Sequence, residues 1–217
     1  MIDISSLMTT HSLILFVLAG LLLNITPGPD VLYIVARAAS QGRTAGFVSA
    51  LGIGAGGLLH ISAAVAGVST LMMRLPAAYE GVRWLGAAYL VYLGARALLK
   101  KAKAPAAELK TFDDHGLRRV FWQGFLTNAL NPKVALFFVA FLPQFVDPGR
   151  GSAPVQFLVL GLIFNVNGTI VNLAYAALAS SAGAWLRRHL VGRGVLDRLA
   201  GAVFIALGIR LALARRP

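Results

Sequence analysis

Two proline motifs interrupt long apolar stretches of this sequence, and polar residues surround both of them. The first motif comprises Asn24, Thr26, Pro27, Gly28, Pro29 and Asp30. The second comprises Asn128, Asn131, Pro132 and Lys133. Proline lacks an amide hydrogen and disfavours helical geometry in the residue before it, so each motif must break a helix. The freed carbonyl groups need polar partners in apolar surroundings, so we expect a polar cavity that could bind a small zwitterion or carry protons.

The two charged residues of these motifs each have more than one interpretation. Asp30 is a candidate site for a proton or a substrate ammonium group, or it forms an ion pair with Lys133 that joins the two broken helices. Lys133 could bind a substrate carboxylate or Asp30, or extend to the lipid headgroups. The remaining polar side chains of the motifs either bind a zwitterion or cap the half-helices. They are those of Asn24, Thr26, Asn128 and Asn131.

His60 is another candidate, because it lies in an apolar stretch whose residues at helical spacing are otherwise small. These small residues are Ser49, Gly52, Gly56, Ala63 and Gly67. A protonatable histidine could relay protons, whereas a neutral one could bond to a neighbouring backbone group. The glycine-rich stretch permits the close approach of another helix and could serve a homodimer interface.

A later apolar stretch carries Asn165 and Asn172, with Gly168, Thr169 and Tyr175 at helical spacing. Such polar groups must face protein or water inside a membrane. We therefore expect Asn165 and Asn172 to line a pathway or to form bonds between helices.

No sequence pattern indicates a catalytic residue, a cofactor or a metal site. The glycines of residues 52–57 follow no strand, so they do not form a nucleotide-binding loop. Asp113, Asp114 and His115 lie in a Lys-rich segment and are interpreted as solvated loop residues.

The composition places much of this chain in lipid. Of its 217 residues, 58% are apolar and 13% are charged, whereas soluble domains are about half apolar and a quarter charged. A soluble enzyme does not fit these values. The net charge of +12 suits loops facing anionic headgroups, so we expect membrane lipids as partners and no nucleic acid. The absence of cysteine excludes disulfides and thiolate metal sites.

Apolar stretches between charged and turn-forming segments predict six transmembrane helices. They span about residues 12–35, 44–72, 82–99, 120–145, 153–185 and 195–214. We interpret residues 1–217 as a single transporter domain. Its parts are repeat one at about 12–99, a cytoplasmic loop at about 100–119 and repeat two at about 120–214.

The first span of each predicted repeat carries a similar pattern. Gly20, Asn24 and Pro27 in the first half correspond to Gly124, Asn128 and Pro132 in the second. Because each group has three spans, two consecutive groups must have opposite orientations in the bilayer. The predicted fold is thus an all-α integral membrane protein of two inverted three-helix repeats, each with a proline-broken first helix.

The distribution of Lys and Arg predicts the orientation. The first-to-second, third-to-fourth and fifth-to-sixth connections together hold more than twice as many Lys and Arg as the other side. Arg37 and Arg43 are assigned to the first of these connections. Positive residues favour the cytoplasm, so both termini are predicted to lie outside it. A five-span alternative would place the C-terminus inside.

Several further motifs accompany the proline motifs. They are Gly42-Arg43, the glycines of residues 52–57 with His60, the segments 85–90 and 208–211, and Pro143-Gln144-Phe145. With Thr26-Pro27-Gly28-Pro29-Asp30 and Asn131-Pro132-Lys133, the sequence resembles the lysine exporter (LysE/RhtB) family of amino-acid efflux proteins over essentially its whole length. The resemblance implies a small multi-pass exporter of amino acids or related metabolites in the bacterial inner membrane. That family allows Asp or Asn at position 30.

The energy source and the alternatives follow from what the sequence contains. No ATPase motif is present, so the proton gradient is the simplest source, with the two halves rocking around a central site. One alternative is an exporter of metal ions or oxyanions, although the lack of clustered intramembrane carboxylates counts against cations. A second is an integral-membrane enzyme, which would need another buried acid or base aligned with Asp30, and only His60 offers itself.

Overall fold

Every regular element that the computed structural model describes is helical, which confirms the predicted all-α class. The structure describes residues 7–99, 116–190 and 194–213, so most of the predicted cytoplasmic loop, with Asp113, Asp114 and His115, lies outside the described residues. The α-helices are α1 (Thr10–Ile25), α2 (Pro29–Ala63), α3 (Ser69–Arg74), α4 (Pro76–Leu99), α5 (Leu117–Ala129), α6 (Pro132–Leu136), α7 (Ala153–Leu190) and α8 (Gly194–Leu213). Single π-helical turns follow α2 (Ala64–Val68) and α6 (Phe137–Phe141).

Both predicted helix breaks are present. The first separates α1 from α2, where Gly28 is extended and Pro29 occupies the first helical position. The second separates α5 from α6, with Asn131 as N-cap and Pro132 as the first residue. Proline suits a first helical position because its missing amide hydrogen would have no intrahelical partner there. The segment after the second break is bent by 44° from α5.

A sharp turn at Gly42 divides α2 into two arms. Gly42 has φ +86° and ψ −179°, a conformation that is essentially restricted to glycine. A Cβ atom at Gly46 would lie 2.7 Å from the Cβ of Ala38, although residues eight apart in a straight helix are separated by about 12 Å. The chain therefore folds back at Gly42. The first arm extends to residue 41, beyond the predicted end of span one at Val35.

Glycines allow the second arm of α2 to pack directly on α5. A Cβ atom at Gly52 would collide with the carbonyl oxygen of Phe121, and one at Gly56 would lie 2.6 Å from that of Phe125. The stripe of small residues thus serves a contact within the chain at these two positions. A Cβ atom at Gly67 would meet nothing within 4 Å. The homodimer interface remains a prediction.

Phenylalanines join α1, α7 and the segment after α6 into an apolar core. The rings of Phe137 and Phe164 stack with their centroids 4.2 Å apart. Phe16 is fully buried and contacts Phe145 edge-on at 5.3 Å. This core includes Leu23 and Val134, which lie next to the two helix breaks, and it packs α1 against α7.

Two described helical segments are long and apolar enough to cross a membrane. They are Pro29–Leu71, which the turn at Gly42 divides, and Ala153–Ser181. The bent pair of Leu117–Ala129 and Pro132–Phe145 forms a third candidate if it is counted as one span. Large apolar side chains such as Leu130 and Ile170 are exposed, as lipid-facing residues are. The helices α4 and α8 fall where spans three and six are predicted. Six spans in two inverted repeats remain a prediction.

Candidate functional site

A small cavity lies between the two helix breaks. Its volume is about 30 Å³, enough for about two water molecules. The lining includes eight of the predicted site residues, which are Asn24, Gly28, Asp30, Asn128, Asn131, Lys133, Asn165 and Asn172. The structure therefore brings polar residues from both halves of the chain together at the breaks.

Lys133 completes the hydrogen bonding of the first break. In a helix, the amide of residue 27 would bond to the carbonyl of Leu23, but Pro27 has no amide hydrogen. The Nζ atom of Lys133 donates to this carbonyl at 2.8 Å and to that of Thr26 at 2.9 Å. A positive charge is also favourable at the C-terminal end of a helix. The structure thus places this ammonium group inside the protein rather than among the headgroups.

Tyr175 supplies the hydrogen bond that is missing because of Pro29, the next proline of the first motif. Pro29 cannot donate to the carbonyl of Ile25, and the hydroxyl of Tyr175 donates to it at 2.7 Å. Tyr175 belongs to α7 and is 7% exposed. The sequence placed this tyrosine on the polar face of its helix but did not indicate its partner.

His60 has the equivalent position at the second break. Pro132 cannot donate to the carbonyl of Asn128, which accepts from the amide of Asn131 at 2.8 Å, and the Nε2 atom of His60 lies 2.9 Å from the same oxygen. Because a carbonyl oxygen only accepts, Nε2 must carry the proton in this contact. The imidazole stacks on Phe138, with ring centroids 5.9 Å apart. His60 does not line the central cavity, so of its two predicted interpretations the backbone bond is the one observed.

Asp30 is the carboxylate of the cavity. Its Oδ2 atom accepts a hydrogen bond of 2.8 Å from the side-chain amide of Asn128. Lys133 and His60 lie close enough to act electrostatically on this carboxyl group, and the side-chain amide of Asn131 lies beside it. Three buried side-chain atoms here have no hydrogen-bond partner among the described residues. They are Oδ1 of Asp30, Oδ1 of Asn128 and Nδ2 of Asn131.

Equivalent positions of the two breaks carry opposite charges. Asp30 directly follows Pro29, and Lys133 directly follows Pro132, each at the second position of its helix. Asp30 reaches the C-terminal end of α5 through Asn128, while Lys133 reaches the C-terminal end of α1. Each charged side chain therefore bonds across to the other break.

Capping explains two other predicted residues. The Oδ1 atom of Asn131 accepts from the amide of Lys133 at 3.0 Å, as an N-cap does. The hydroxyl of Thr26 donates to the carbonyl of Leu22 at 2.6 Å, at the end of α1. Asn131 both caps a helix and lines the cavity, whereas Thr26 contributes its carbonyl to Lys133.

The asparagines at the wall of the cavity connect α7 with α1 and α2. Asn165 donates to the carbonyl of Gly54 at 3.1 Å, and Asn24 approaches that of Phe164 at 3.5 Å. Asn165 thus both lines the cavity and bonds between helices, so both predicted interpretations apply to it. Further residues complete the lining, and of these Gly168, Thr169 and the glycines of residues 52–57 were also named from the sequence. These further residues are Val31, Ile53, Gly54, Gly57, Val134, Phe164, Gly168 and Thr169.

A second polar cluster lies along α2 around Arg37. Arg37 follows Asp30 by seven residues, which corresponds to about 10 Å along the helix. Arg37 is fully buried there. Its guanidinium donates to Gln41 at 2.7 Å and to Gln123, and Tyr33 donates to the carbonyl of Val120 at 2.9 Å. The assignment of Arg37 to a solvated connection was wrong, because the first arm of α2 continues past it and α5 covers it.

Potential metal ligands do not gather in the described part of the chain. Within residues 7–99, 116–190 and 194–213, no three His, Asp or Glu side chains lie together in a way that could hold a metal ion.

Comparison with known proteins identifies the family of this chain. The profile of the LysE type translocator family matches residues 21–215, which include both breaks and all cavity-lining residues. An uncharacterized membrane protein of Pseudomonas aeruginosa is 32% identical over 209 residues, covering 92% of this chain and 94% of its own length. An uncharacterized membrane protein of Vibrio cholerae is 30% identical over 209 residues, covering 96% and 100%. No solved structure matches significantly. The chain belongs to the LysE type translocator family.

Proposed function

We propose that this protein is a secondary transporter that exports amino acids or related small metabolites across the bacterial inner membrane. The observation that carries the proposal is the polar cavity between two broken helices, bordered by Asp30 and Lys133. Broken helices at corresponding positions of two halves are typical of substrate sites in secondary transporters. Membership of a translocator family supports the same class of function.

The size of the cavity supports a conformational cycle. A volume of about 30 Å³ holds about two water molecules, which is too little for an amino acid. Substrate entry therefore requires the elements around the breaks to separate. In the proposed cycle the two halves rock around this site and open it to each side of the membrane in turn.

Asp30 is the proposed point of proton coupling. A proton and a substrate ammonium group compete for one carboxylate, so binding of either displaces the other. Lys133 and His60 are the other ionisable groups that act on this carboxyl group. Alternation between proton and ammonium would exchange an incoming proton for an outgoing substrate, and the proton gradient would drive export.

Flux measurements in proteoliposomes test this function. Vesicles containing radiolabelled amino acids and the pH dye pyranine are diluted into a more acidic medium. We expect substrate efflux accompanied by acidification of the lumen, and we expect neither with Asp30→Asn. The matched control is Asp147→Asn, which changes a carboxylate in an exposed loop far from the cavity in sequence.

The two parts of the proposal fail in different ways. If no amino acid leaves the vesicles under any gradient, the export function is wrong. If efflux occurs but does not depend on the pH gradient, export stands and proton coupling is wrong. Efflux by Asp30→Asn at the level of Asp147→Asn would remove Asp30 from the coupling mechanism.

A further inference from the structure

The partnerless polar atoms of the cavity indicate what kind of molecule would complete it. Oδ1 of Asp30 and Oδ1 of Asn128 are acceptors, and Nδ2 of Asn131 is a donor. Asn128 is 5% exposed and Asn131 is 2% exposed, so only the few water molecules that the cavity has room for could reach these atoms. Unsatisfied buried groups of this kind are costly. A ligand that offers a cationic donor to the first two atoms and an acceptor to the third would satisfy all three.

The start of α2 offers a second set of donors beside these atoms. The first intrahelical bond of α2 runs from the amide of Leu32 to the carbonyl of Gly28 at 3.0 Å. The amides of Asp30 and Val31 therefore precede the helical ladder, and no side chain caps them. Both residues line the cavity. Free amides at a helix N-terminus favour an anionic group such as a carboxylate.

The charges of the lining restrict the net charge of the ligand. Asp30 and Lys133 are the charged side chains that the described lining contains. The ammonium group of Lys133 already bonds to the carbonyls of Leu23 and Thr26. A ligand with an additional charged side chain would bring an uncompensated charge into the membrane interior, which is unfavourable.

The rest of the lining suits an uncharged side chain. Val31, Ile53, Val134 and Phe164 provide apolar surface. The remaining polar groups of the wall are neutral amides and a hydroxyl, from Asn24, Asn165, Asn172 and Thr169. Such a wall can accept an aliphatic or a hydroxylated side chain, but it offers no counter-charge to a charged one.

We propose that the cavity binds a zwitterionic amino acid whose side chain carries no charge. Its α-ammonium group lies against Asp30 and the side-chain oxygen of Asn128. Its α-carboxylate lies at Asn131 and at the amides that begin α2. This inference rests on the proposed function, because it names the substrate class of the same site.

Counterflow in proteoliposomes tests the substrate class. Vesicles are loaded with unlabelled leucine, threonine, lysine or glutamate and diluted into traces of the same radiolabelled amino acid. We expect transient accumulation of leucine, threonine or both, and none of lysine or glutamate. Exchange of lysine or glutamate would overturn the inference while leaving amino-acid transport in place. Absence of exchange with all four would count against the proposed function and the inference together.

Matched analogues test the two ends of the ligand. For leucine they are 2-hydroxy-4-methylpentanoate, which lacks the ammonium group, and 3-methylbutylamine, which lacks the carboxylate. The loss of either group leaves buried protein groups unpaired. Each analogue should therefore inhibit leucine counterflow at least about tenfold less strongly than unlabelled leucine does. For threonine, the corresponding hydroxy acid and amine are used. An analogue that inhibits as well as its amino acid would overturn the assignment of that end.

Two variants test which residue binds each end of the amino acid. Asn128→Leu should weaken inhibition by the amino acid but not by the hydroxy acid, because the variant removes an acceptor for the ammonium group. Asn131→Leu should weaken inhibition by the amino acid but not by the amine, because the variant removes a donor to the carboxylate. Equal losses for all three compounds would refute these assignments. The wild-type analogue series remains decisive if either variant fails to fold.

Discussion

Removing the hydroxyl of Tyr175 should destabilise the protein by an amount that the structure allows to be estimated. Tyr175→Phe keeps the ring and its packing but deletes the donor to the carbonyl of Ile25, at 2.7 Å in the wild type. No amide can replace it, because the residue four positions later is Pro29. The variant therefore isolates one hydrogen bond at the first break.

The expected loss lies between two reference values. A buried carbonyl left without a donor costs about 1–3 kcal/mol. Side-chain hydrogen bonds measured inside a membrane protein average about 0.6 kcal/mol and reach about 1.7 kcal/mol. Tyr175 is 7% exposed, so water does not readily take the place of the deleted hydroxyl group. We expect a decrease of roughly 1–2 kcal/mol in the free energy of unfolding.

Equilibrium unfolding in mixed micelles measures this decrease. Tyr92→Phe is the matched control, because Tyr92 is 53% exposed. The combination with Pro29→Ala restores an amide that can bond to Ile25, so Tyr175→Phe should cost less in that background. The reasoning is refuted if Tyr175→Phe costs no more than Tyr92→Phe, or if its cost is the same with and without Pro29.

Three further predictions concern the helix breaks, the packing of α2 and the orientation in the membrane. Pro27→Ala and Pro132→Ala should each straighten a break and reduce efflux several-fold while the protein remains inserted; wild-type efflux by both would contradict a central role of the breaks. Gly52→Ala should cost about 1–3 kcal/mol of unfolding free energy because its Cβ collides with α5, whereas Gly67→Ala should stay within about 0.5 kcal/mol; equal effects would argue against the packing described. A cysteine at Ala106 should be protected from impermeant reagents in intact cells, and its labelling would reverse the predicted orientation.

The helix breaks were predictable because proline acts locally. A missing amide hydrogen removes a bond in any tertiary context, so the positions of Pro29 and Pro132 fixed where helices begin. The polar character of the surrounding cavity followed from the requirement that buried carbonyls find partners. Most residues predicted for the site accordingly line one cavity.

The identity of the hydrogen-bond partners was not predictable, because it depends on the packing of distant segments. Tyr175 lies 150 residues from Ile25 in sequence, and nothing local to either residue indicates the contact. The burial of Arg37 was missed for a similar reason. A charged residue near the end of an apolar stretch is expected to be solvated, and the sequence does not show that α5 covers this one. The spacing of Tyr33, Arg37 and Gln41 on one helical face was the available signal.

Pro27, Pro29 and Pro132 bear on the opening of the cavity that the proposed transport cycle requires. Side chains from other elements donate to the carbonyls that these prolines cannot serve: Lys133 links α6 to α1, Tyr175 links α7 to α1, and His60 links α2 to α5. The carbonyl bonded by His60 also accepts from the amide of Asn131. Separation of α1 from α6 or from α7 would break the bond to Leu23 or to Ile25 and leave that carbonyl without a donor unless water or substrate reaches it. In the proposed cycle, opening would therefore be favourable only when a polar molecule enters the cavity. The prolines would thus make entry of water or substrate a condition of opening in that cycle.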